Sequence, residues 1–536
     1  MIKQSVIIFL IILSGALFLI IGTHFLDVLS QGDIQKEYAP LFFFYSIDTD
    51  SVLAFIGSLA EVMTALFGII LTVVAIIVNL SANRYTSKVI DLFIRDRFNV
   101  SILVFYGIIS FYSIWILNVL QFRDAPVEFV PRFEILIYLF LVSIGVLLIV
   151  PYFYFVFQFL TPNTIISKIK KQAQRFILRA RCMPAKKSKR VEKEIKPSLV
   201  ENLEQLSEIC KGSLISADRS LGLLSLKTLN QILEFYIQMK EKSLSETLNL
   251  PFCTSWYTDI DRFFLGLNQS IVDNLKAHNY WFEYRICQEY ESVLRHSISS
   301  ESKIAYQTAI NLTTIGKKAA KHQDIVLLRM IVYYFNTFLK TCITERNQQT
   351  IIDVFYQYYL LLREIVLQTF KNNSEEDACE YIYRVSWYFK HYGQLAALND
   401  TERVLEFAAY FLRRINELSY RKFYSENPDL VHKLLNLFLT VDDMPEDEIY
   451  NEKVLVGVRQ NQAILAAFYI EQNEPELTRQ IRNDMLHESQ ERLDYIRDSI
   501  LGVDEENHFE IDNIGINTLF IHRERRKALE EFFKQF

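Results

Sequence analysis

Apolar residues gather at one end of this chain. Four long runs, at 6–21, within 52–80, at 100–120 and at 135–160, carry almost no charge, and beyond residue 160 the pattern turns mixed. A helix needs about 20 apolar residues to cross a hydrocarbon layer of about 30 Å, and it satisfies its own backbone polar groups on the way. The runs therefore predict four spanning helices. Tyr, Phe and Trp cluster near the ends of the third and fourth, where amphipathic rings suit the membrane interface. Lys3 precedes the first run, but Gly22-Thr23-His24-Phe25 lacks the small residues of a cleavage site, so that run reads as a retained anchor.

After the runs the period changes. Ile165, Ile166, Ile169, Ala173, Phe176, Ile177 and Ala180 recur at helical spacing, while Lys168, Lys170, Lys171, Arg175, Arg179 and Arg181 fall on the other face. Such a helix suits the headgroup layer, its cations meeting anionic lipid; the plainer reading is a basic flank whose apolar face packs on protein. The stretch 183–197 loses the pattern and reads as a charged linker. From Ser198 onward helical patterns follow one another, with no convincing strand: 199–212, 218–240, 256–276, 280–297, 301–320, 324–343, 348–371, 375–395, 401–421, 428–440, 450–472, 475–500 and 518–535. Ser198, Asp218, Ser300, Ser374, Asp400 and Asn427-Pro428 supply start signals, and Asn372-Asn373 and Gly502 supply stops. Long helices on short polar turns pair as antiparallel hairpins, and stacked hairpins make an α-solenoid-like body. Ala466-Ala467-Phe468-Tyr469 with Asn473-Glu474-Pro475-Glu476-Leu477 is similar to part of a tetratricopeptide hairpin, although no strict period repeats. The expected architecture is all-α: a four-helix transmembrane domain over 1–160, a basic juxtamembrane helix and linker over 161–197, and a cytosolic helical domain over 198–536.

Charge gives the spans a direction. Segment 26–51 carries Asp27, Asp33, Glu37, Asp48 and Asp50 against Lys36, so it is expected outside. Segment 81–99 carries Arg84, Lys88, Arg95 and Arg97 against Asp91 and Asp96, and the stretch after the fourth span adds ten cations without an acid. Both are expected inside, which puts both termini in the cytoplasm and the chain in the inner (plasma) membrane. The net charge of -6 argues against a nucleic-acid binder, and 15 Gly and 11 Pro in 536 residues disfavour a turn-rich all-β design. The six cysteines form no CxxC and read as reduced thiols, neither disulfides nor zinc ligands.

No catalytic motif emerges. Gly316-Lys317-Lys318 lacks the rest of a phosphate loop, no Gly-x-Ser-x-Gly elbow or dinucleotide fingerprint occurs, and His487-Glu488 has no second His at zinc-protease spacing. No cofactor is implied, and a non-enzymatic role is favoured, with a site assembled only in three dimensions left open. The tyrosines Tyr333, Tyr334, Tyr356, Tyr358, Tyr359, Tyr381 and Tyr383 are expected in the core. Inside the membrane the polar residues Glu61, Asn79 and Asn118 are the functional candidates, because an ionisable group in hydrocarbon is costly. Glu61 fits either the outer interface or the bundle interior.

The second span ends in Ile76-Ile77-Val78-Asn79-Leu80-Ser81-Ala82-Asn83-Arg84 and leads to Val89-Ile90-Asp91-Leu92-Phe93-Ile94-Arg95-Asp96-Arg97. Leu80, Phe93, Arg95 and Asp96, followed by Phe111-Tyr112, resemble the signature of a bacterial family of predicted membrane proteins, the domain of unknown function numbered twenty-two fifty-four. The resemblance covers roughly residues 60–165. It implies a four-span inner-membrane protein and brings no activity with it. Downstream the family has a Ser-Pro-x-x-Asn-Asp-Pro-like motif, where this chain has Ser216-Ala217-Asp218-Arg219-Ser220-Leu221 without the prolines. Arg95, Asp96 and Arg97 are expected either as a buried coupling contact or as a solvated turn. The leading functional expectation is a membrane-anchored scaffold or sensor whose helical domain binds a cytosolic protein. The second is an oligomeric ion channel or membrane-permeabilising effector gated by that domain.

Overall fold

Helix is the only regular element among the described residues, as the 3.6-residue apolar periods and the scarcity of Gly and Pro require. The computed structural model describes Ser14, Phe18, Ile21, Gly22, Thr23, Phe25 and residues 49–84, 93–94, 96–121, 132–181, 195–245, 280–368, 375–401, 403–443, 452–504 and 517–536. The expected first span and the expected helix 256–276 lie for the most part outside them. The chain divides into two compact units, Met1–Ile169 and Lys170–Phe536.

In the first unit, α1 (Thr49–Arg84), α2 (Arg97–Gln121) and α3 (Arg132–Leu160) pack on one another. They contain the windows Leu53–Asn79, Arg97–Leu120 and Phe133–Gln158, each long and apolar enough to cross a membrane. A fourth such helix, Ile325–Thr344, was not expected to be one. It belongs to the second unit, where half of it is buried, and its apolar side (Leu328, Ile331, Phe335, Phe338, Leu339) sits in the core. α4 (Pro162–Arg181) carries the amphipathic pattern across the division between the units. Ile165, Ile166, Ile169, Ala173, Ile177 and Ala180 are all buried, so the apolar face is covered by protein, the plainer of the two expectations.

The second unit is a stack of hairpins. Its helices are α5 (Lys196–Ile215), α6 (Arg219–Ser245), α7 (Trp281–Ser297), α8 (Ser302–Lys321), α9 (Ile325–Thr344), α10 (Gln348–Gln368), α11 (Glu375–Ala397), α12 (Arg403–Phe423), α13 (Pro428–Leu439), α14 (Glu452–Glu471), α15 (Pro475–Met485), α16 (Gln490–Leu501) and α17 (Arg523–Phe533). One layer runs α5, α7, α9, α11, α13, α15, each against the next; the other runs α6, α8, α10, α12, α14, α17 in the same way. This is the two-layer arrangement of an α-solenoid. The expected helix 475–500 is two helices: the chain breaks at Leu486–Glu488 and restarts where the Ser489 hydroxyl caps the Arg492 amide. His487 lies in that turn, exposed, rather than on a helix surface.

One turn recurs through the stack. Ala217, Gln323, Arg346, Asp400 and Asn473 take positive φ between 53 and 64°, the left-handed conformation that ends a helix. After four of them the next amide returns to the carbonyl five residues back, as in Asp218 to Ser213 (2.9 Å) and Asp324 to Ala319 (2.9 Å). Asp218, Asp324 and Asn347 then cap the following helix, accepting from the Leu221, Leu327 and Thr350 amides. Asp400, expected as a cap, is instead the left-handed residue itself. The segment Ser216-Ala217-Asp218, where the resembled family has its prolines, is the first of these turns.

Of the seven expected core tyrosines, Tyr334, Tyr358 and Tyr359 are buried and Tyr356, Tyr381 and Tyr383 half-buried, and Tyr358 stacks on Phe335 with centroids 4.7 Å apart. Tyr333 is neither; it is 53 % exposed, since α9 turns it away from both neighbouring layers. Gly393 marks a close helix approach, because a Cβ there would lie 2.7 Å from the Ala408 Cβ of α12. Gly393→Leu is expected to cost about 3 kcal/mol by overpacking, read as a lowered thermal midpoint of the detergent-solubilised protein.

Candidate functional site: a polar seam and an inner joint in the membrane unit

A seam of hydrogen bonds runs between α2 and α3. The Tyr152 hydroxyl donates to Asn99 Oδ1 (3.1 Å), the Tyr106 hydroxyl to the Gly145 carbonyl (2.5 Å), and the Ser113 hydroxyl to the Tyr138 oxygen (3.0 Å). Asn99, Tyr106 and Ser113 are spaced by seven, and so are Tyr138, Gly145 and Tyr152. Two antiparallel helices in heptad register bring such positions face to face. All the side chains are buried, and Ile102, Ile109, Ile116, Ile135 and Val142 fill the layers between the rungs. Farther along α2 the Tyr112 hydroxyl donates to Thr23 Oγ1 (3.0 Å) and to the Glu134 carbonyl (3.4 Å), and the Glu134 side chain is wholly buried. Each hydroxyl of the seam has a hydrogen-bond partner, and the layers between are apolar. Along these rungs the described side chains lock α2 to α3.

The seam ends in a joint built from the resembled signature. Asp96 caps α2, accepting from the Phe98 amide (3.0 Å), and pairs with Lys168 of α4 (2.9 Å). Lys168 also lies 5.2 Å from the centroid of Phe155, whose ring packs on Phe98 (5.0 Å) and Phe93 (6.4 Å). Phe93 is buried, and its carbonyl accepts from Asn99 Nδ2 (3.4 Å), tying the joint to the first rung. Of the expected coupling residues Asp96 is engaged, Arg97 is exposed, and Arg95 lies outside the described residues. Asp96→Ala removes a cap and an ion-pair partner together. It is expected to lower stability by about 1–2 kcal/mol, while Asp96→Asn, which keeps the cap acceptor, restores more than half of the loss in the same melting experiment.

The three intramembrane candidates do not share a site. Glu61, Asn79 and Asn118 are all exposed, and Ile56, Ala60, Met63, Ile70 and Ile77 form the inward side of α1 instead. Glu61 thus stands on the opposite side of α1 from its buried residues. It stands eight residues, about 12 Å, inside the window Leu53–Asn79. The exposed side of α1 is nonetheless ordered. Ser51, Ala54, Ser58, Glu61, Ala65, Gly68, Thr72, Ala75 and Asn79 alternate at three- and four-residue steps; all are small or polar and all are exposed. The seam and this row both went unread in the sequence. Seven-residue spacing among buried polar positions, and alternating small residues in one span, were the signals available.

On α4, Lys168 is taken by Asp96 and Lys170 donates to Gln231 (2.7 Å). Lys171, Arg175 and Arg179 are exposed at successive four-residue steps, and Arg181 closes the helix.

Apolar windows of spanning length and a polar seam that avoids hydrocarbon define an integral membrane protein. Its N-terminal segment, residues 3–219, matches the family described as Predicted membrane protein (DUF2254). The match runs beyond residues 60–165 in both directions, from the first apolar run to the first hairpin turn of the second unit. No curated protein matches the chain. Among solved structures, one titled "Circular tandem repeat protein with novel repeat topology and enhanced subunit contact surfaces" is similar at a TM-score of 0.35 and 11 % identity, over 89 % of this chain and 96 % of that one.

Proposed function

We propose that this protein is a membrane-anchored scaffold or sensor of the inner membrane, with both termini in the cytoplasm, whose hairpin stack binds a protein partner. The observation that supports this best is the pair of large aromatics left on the first layer of the stack, Tyr333 at 53 % and Trp387 at 43 % exposure. Aromatic anchors on a rigid helical surface are the residues that dominate protein interfaces. Lys171, Arg175 and Arg179 meet anionic headgroups beside the last span, each contributing about 1 kcal/mol. A photoreactive amino acid placed at position 387 in intact membranes is the test. A discrete protein adduct that disappears when the probe is moved to buried Phe389 is expected; lipid adducts alone at positions 333 and 387 would refute the reading.

The row on α1 supports a second reading, an oligomeric channel. A carboxylate facing hydrocarbon costs on the order of 3 kcal/mol, and small residues at alternating three- and four-residue steps let helices approach closely. Copies arranged with these rows inward would give Glu61 and Asn79 a common polar axis. Under this reading Gly68→Cys forms an oxidative dimer in membranes while Cys at lipid-facing Leu71 does so far less. Purified protein in liposomes then passes a cation flux that Glu61→Gln reduces at least tenfold. Liposomes that stay tight under every stimulus tried would leave only the scaffold.

A further inference from the structure

The face shared by α9 and α11 carries a charge pattern that names a partner's chemistry. Arg329, Tyr333 and Lys340 are exposed along α9, and Arg384 and Trp387 along α11. The Trp387 ring stacks on His391 (5.0 Å between centroids, 6° between planes), and His391 lies within electrostatic reach of Lys340. Among the described residues Arg329 and Lys340 meet no carboxylate at ion-pair distance, and Arg384 pairs only with Glu380 on its own helix (2.5 Å). A chain of net charge -6 thus presents, among the described side chains of this face, three cations and an imidazole against Glu380.

A second observation points the same way. The Tyr381 hydroxyl is buried and has no hydrogen-bond partner among the described residues, and its phenol is within electrostatic reach of both Arg329 and Arg384. A buried O–H beside two guanidinium groups is a donor set for an oxygen anion. Such groups cost free energy when left unsatisfied.

We propose that the α9/α11 face binds an acidic segment of a partner protein, with its carboxylates on Arg329, Arg384 and Lys340 and an apolar side chain against Tyr333 and Trp387. The assignment rests on the scaffold reading and specifies it. One carboxylate between Arg329 and Arg384 accepts the Tyr381 hydrogen and completes the buried group. A second meets Lys340 near the Trp387–His391 stack. The two ends of the face are eleven residues apart on α9, about 16 Å, which four to five extended residues of a bound segment would span.

Short random peptides displayed on phage are the probe, selected against the full-length protein in nanodiscs of neutral lipid. Enrichment of Asp and Glu is expected, lost in the variant Arg329→Glu/Lys340→Glu/Arg384→Glu, whose altered side chains are exposed and leave the fold intact by circular dichroism. A selected peptide should bind about tenfold more weakly to Trp387→Ala and more weakly again as salt rises. Selection of neutral or basic peptides that still need Trp387 would overturn the acidic assignment and leave the scaffold standing. Peptides indifferent to all four substitutions would overturn both. If anionic lipid added to the nanodiscs displaces the acidic peptides and binds the wild type but not the triple variant, the face is a headgroup site and the proposal is wrong.

Discussion

Replacing Arg459 by Met is expected to unfold the last hairpins of the stack at a thermal midpoint on the order of 10 °C below wild type. Arg459 of α14 holds three carboxylates: Asp442 (3.1 Å), Glu488 (2.9 Å) and Asp484, with Arg492 adding a contact to Glu488 (3.1 Å). The Asp442 and Glu488 side chains are only 8 % and 13 % exposed, so they cannot turn to water when the guanidinium goes. Breaking a buried pair from one side costs about 3–5 kcal/mol, and about 2–4 °C per kcal/mol is usual for a domain of this kind. Burial pushes the Asp442 carboxyl up to about 6, even with Arg459 pulling it down, and it raises Asp484 as well. A carboxyl raised in the folded state stabilises fully below its unfolded value, and that contribution fades as pH rises through about 6. The loss in Arg459→Met is therefore greatest near pH 8 and shrinks toward pH 5. A penalty that stays constant over that range would mean the hub acts by packing alone.

Lys240→Met should be nearly as damaging, and its remedy is specific. Lys240 of α6 pairs with Glu283 of α7 at 2.9 Å and sits 4.2 Å from the centroid of Tyr280. Glu283 is 1 % exposed; burial raises its carboxyl and Lys240 draws it back. Without the ammonium the carboxylate is an uncompensated buried charge, again about 3–5 kcal/mol. The double variant Lys240→Met/Glu283→Leu removes the charge problem and is expected within about 1–2 kcal/mol of wild type by chemical denaturation. Because Glu283 is raised, the single variant recovers stability as pH falls. If the double variant is as unstable as the single, the pair's value lies in shape rather than charge.

Much of the architecture could be read from side-chain period alone. The boundaries of α7 to α14 fall within three residues of expectation because amphipathic stripes, polar turns and caps such as Asn427 agree with one another. Asn427 caps Leu430 (3.1 Å), with Pro428 at the first helical position where its missing N–H costs nothing. The break between α15 and α16 is hard to read because Leu486-His487-Glu488 contains neither Gly nor Pro, and the Ser489 cap is what marks the restart. The membrane unit was less legible in detail. In a span nearly every residue is apolar, so the face a polar group occupies is not marked by contrast with its neighbours. Glu61 stands out in the sequence as the charged residue of its span, yet it lies on the exposed side of α1, while Asn99, Tyr106 and Tyr152 tie α2 to α3. Exposed Tyr333 and Trp387 look, in sequence, like any other aromatic in a chain holding 70 Phe and Tyr.

The seven-residue spacing of the seam does something a scatter of hydrogen bonds would not. If α3 slid past α2 by a single turn, each hydroxyl would arrive opposite an isoleucine or valine and find nothing to bond. Only a slide of two full turns, about 10 Å, would bring rungs opposite rungs again, and it would strand those at both ends. The helices are thus indexed like the teeth of a rack: small axial creep is penalised at three heights at once, and whatever moves at the Asp96–Lys168 end must pass to the far end as a shift of the whole rod.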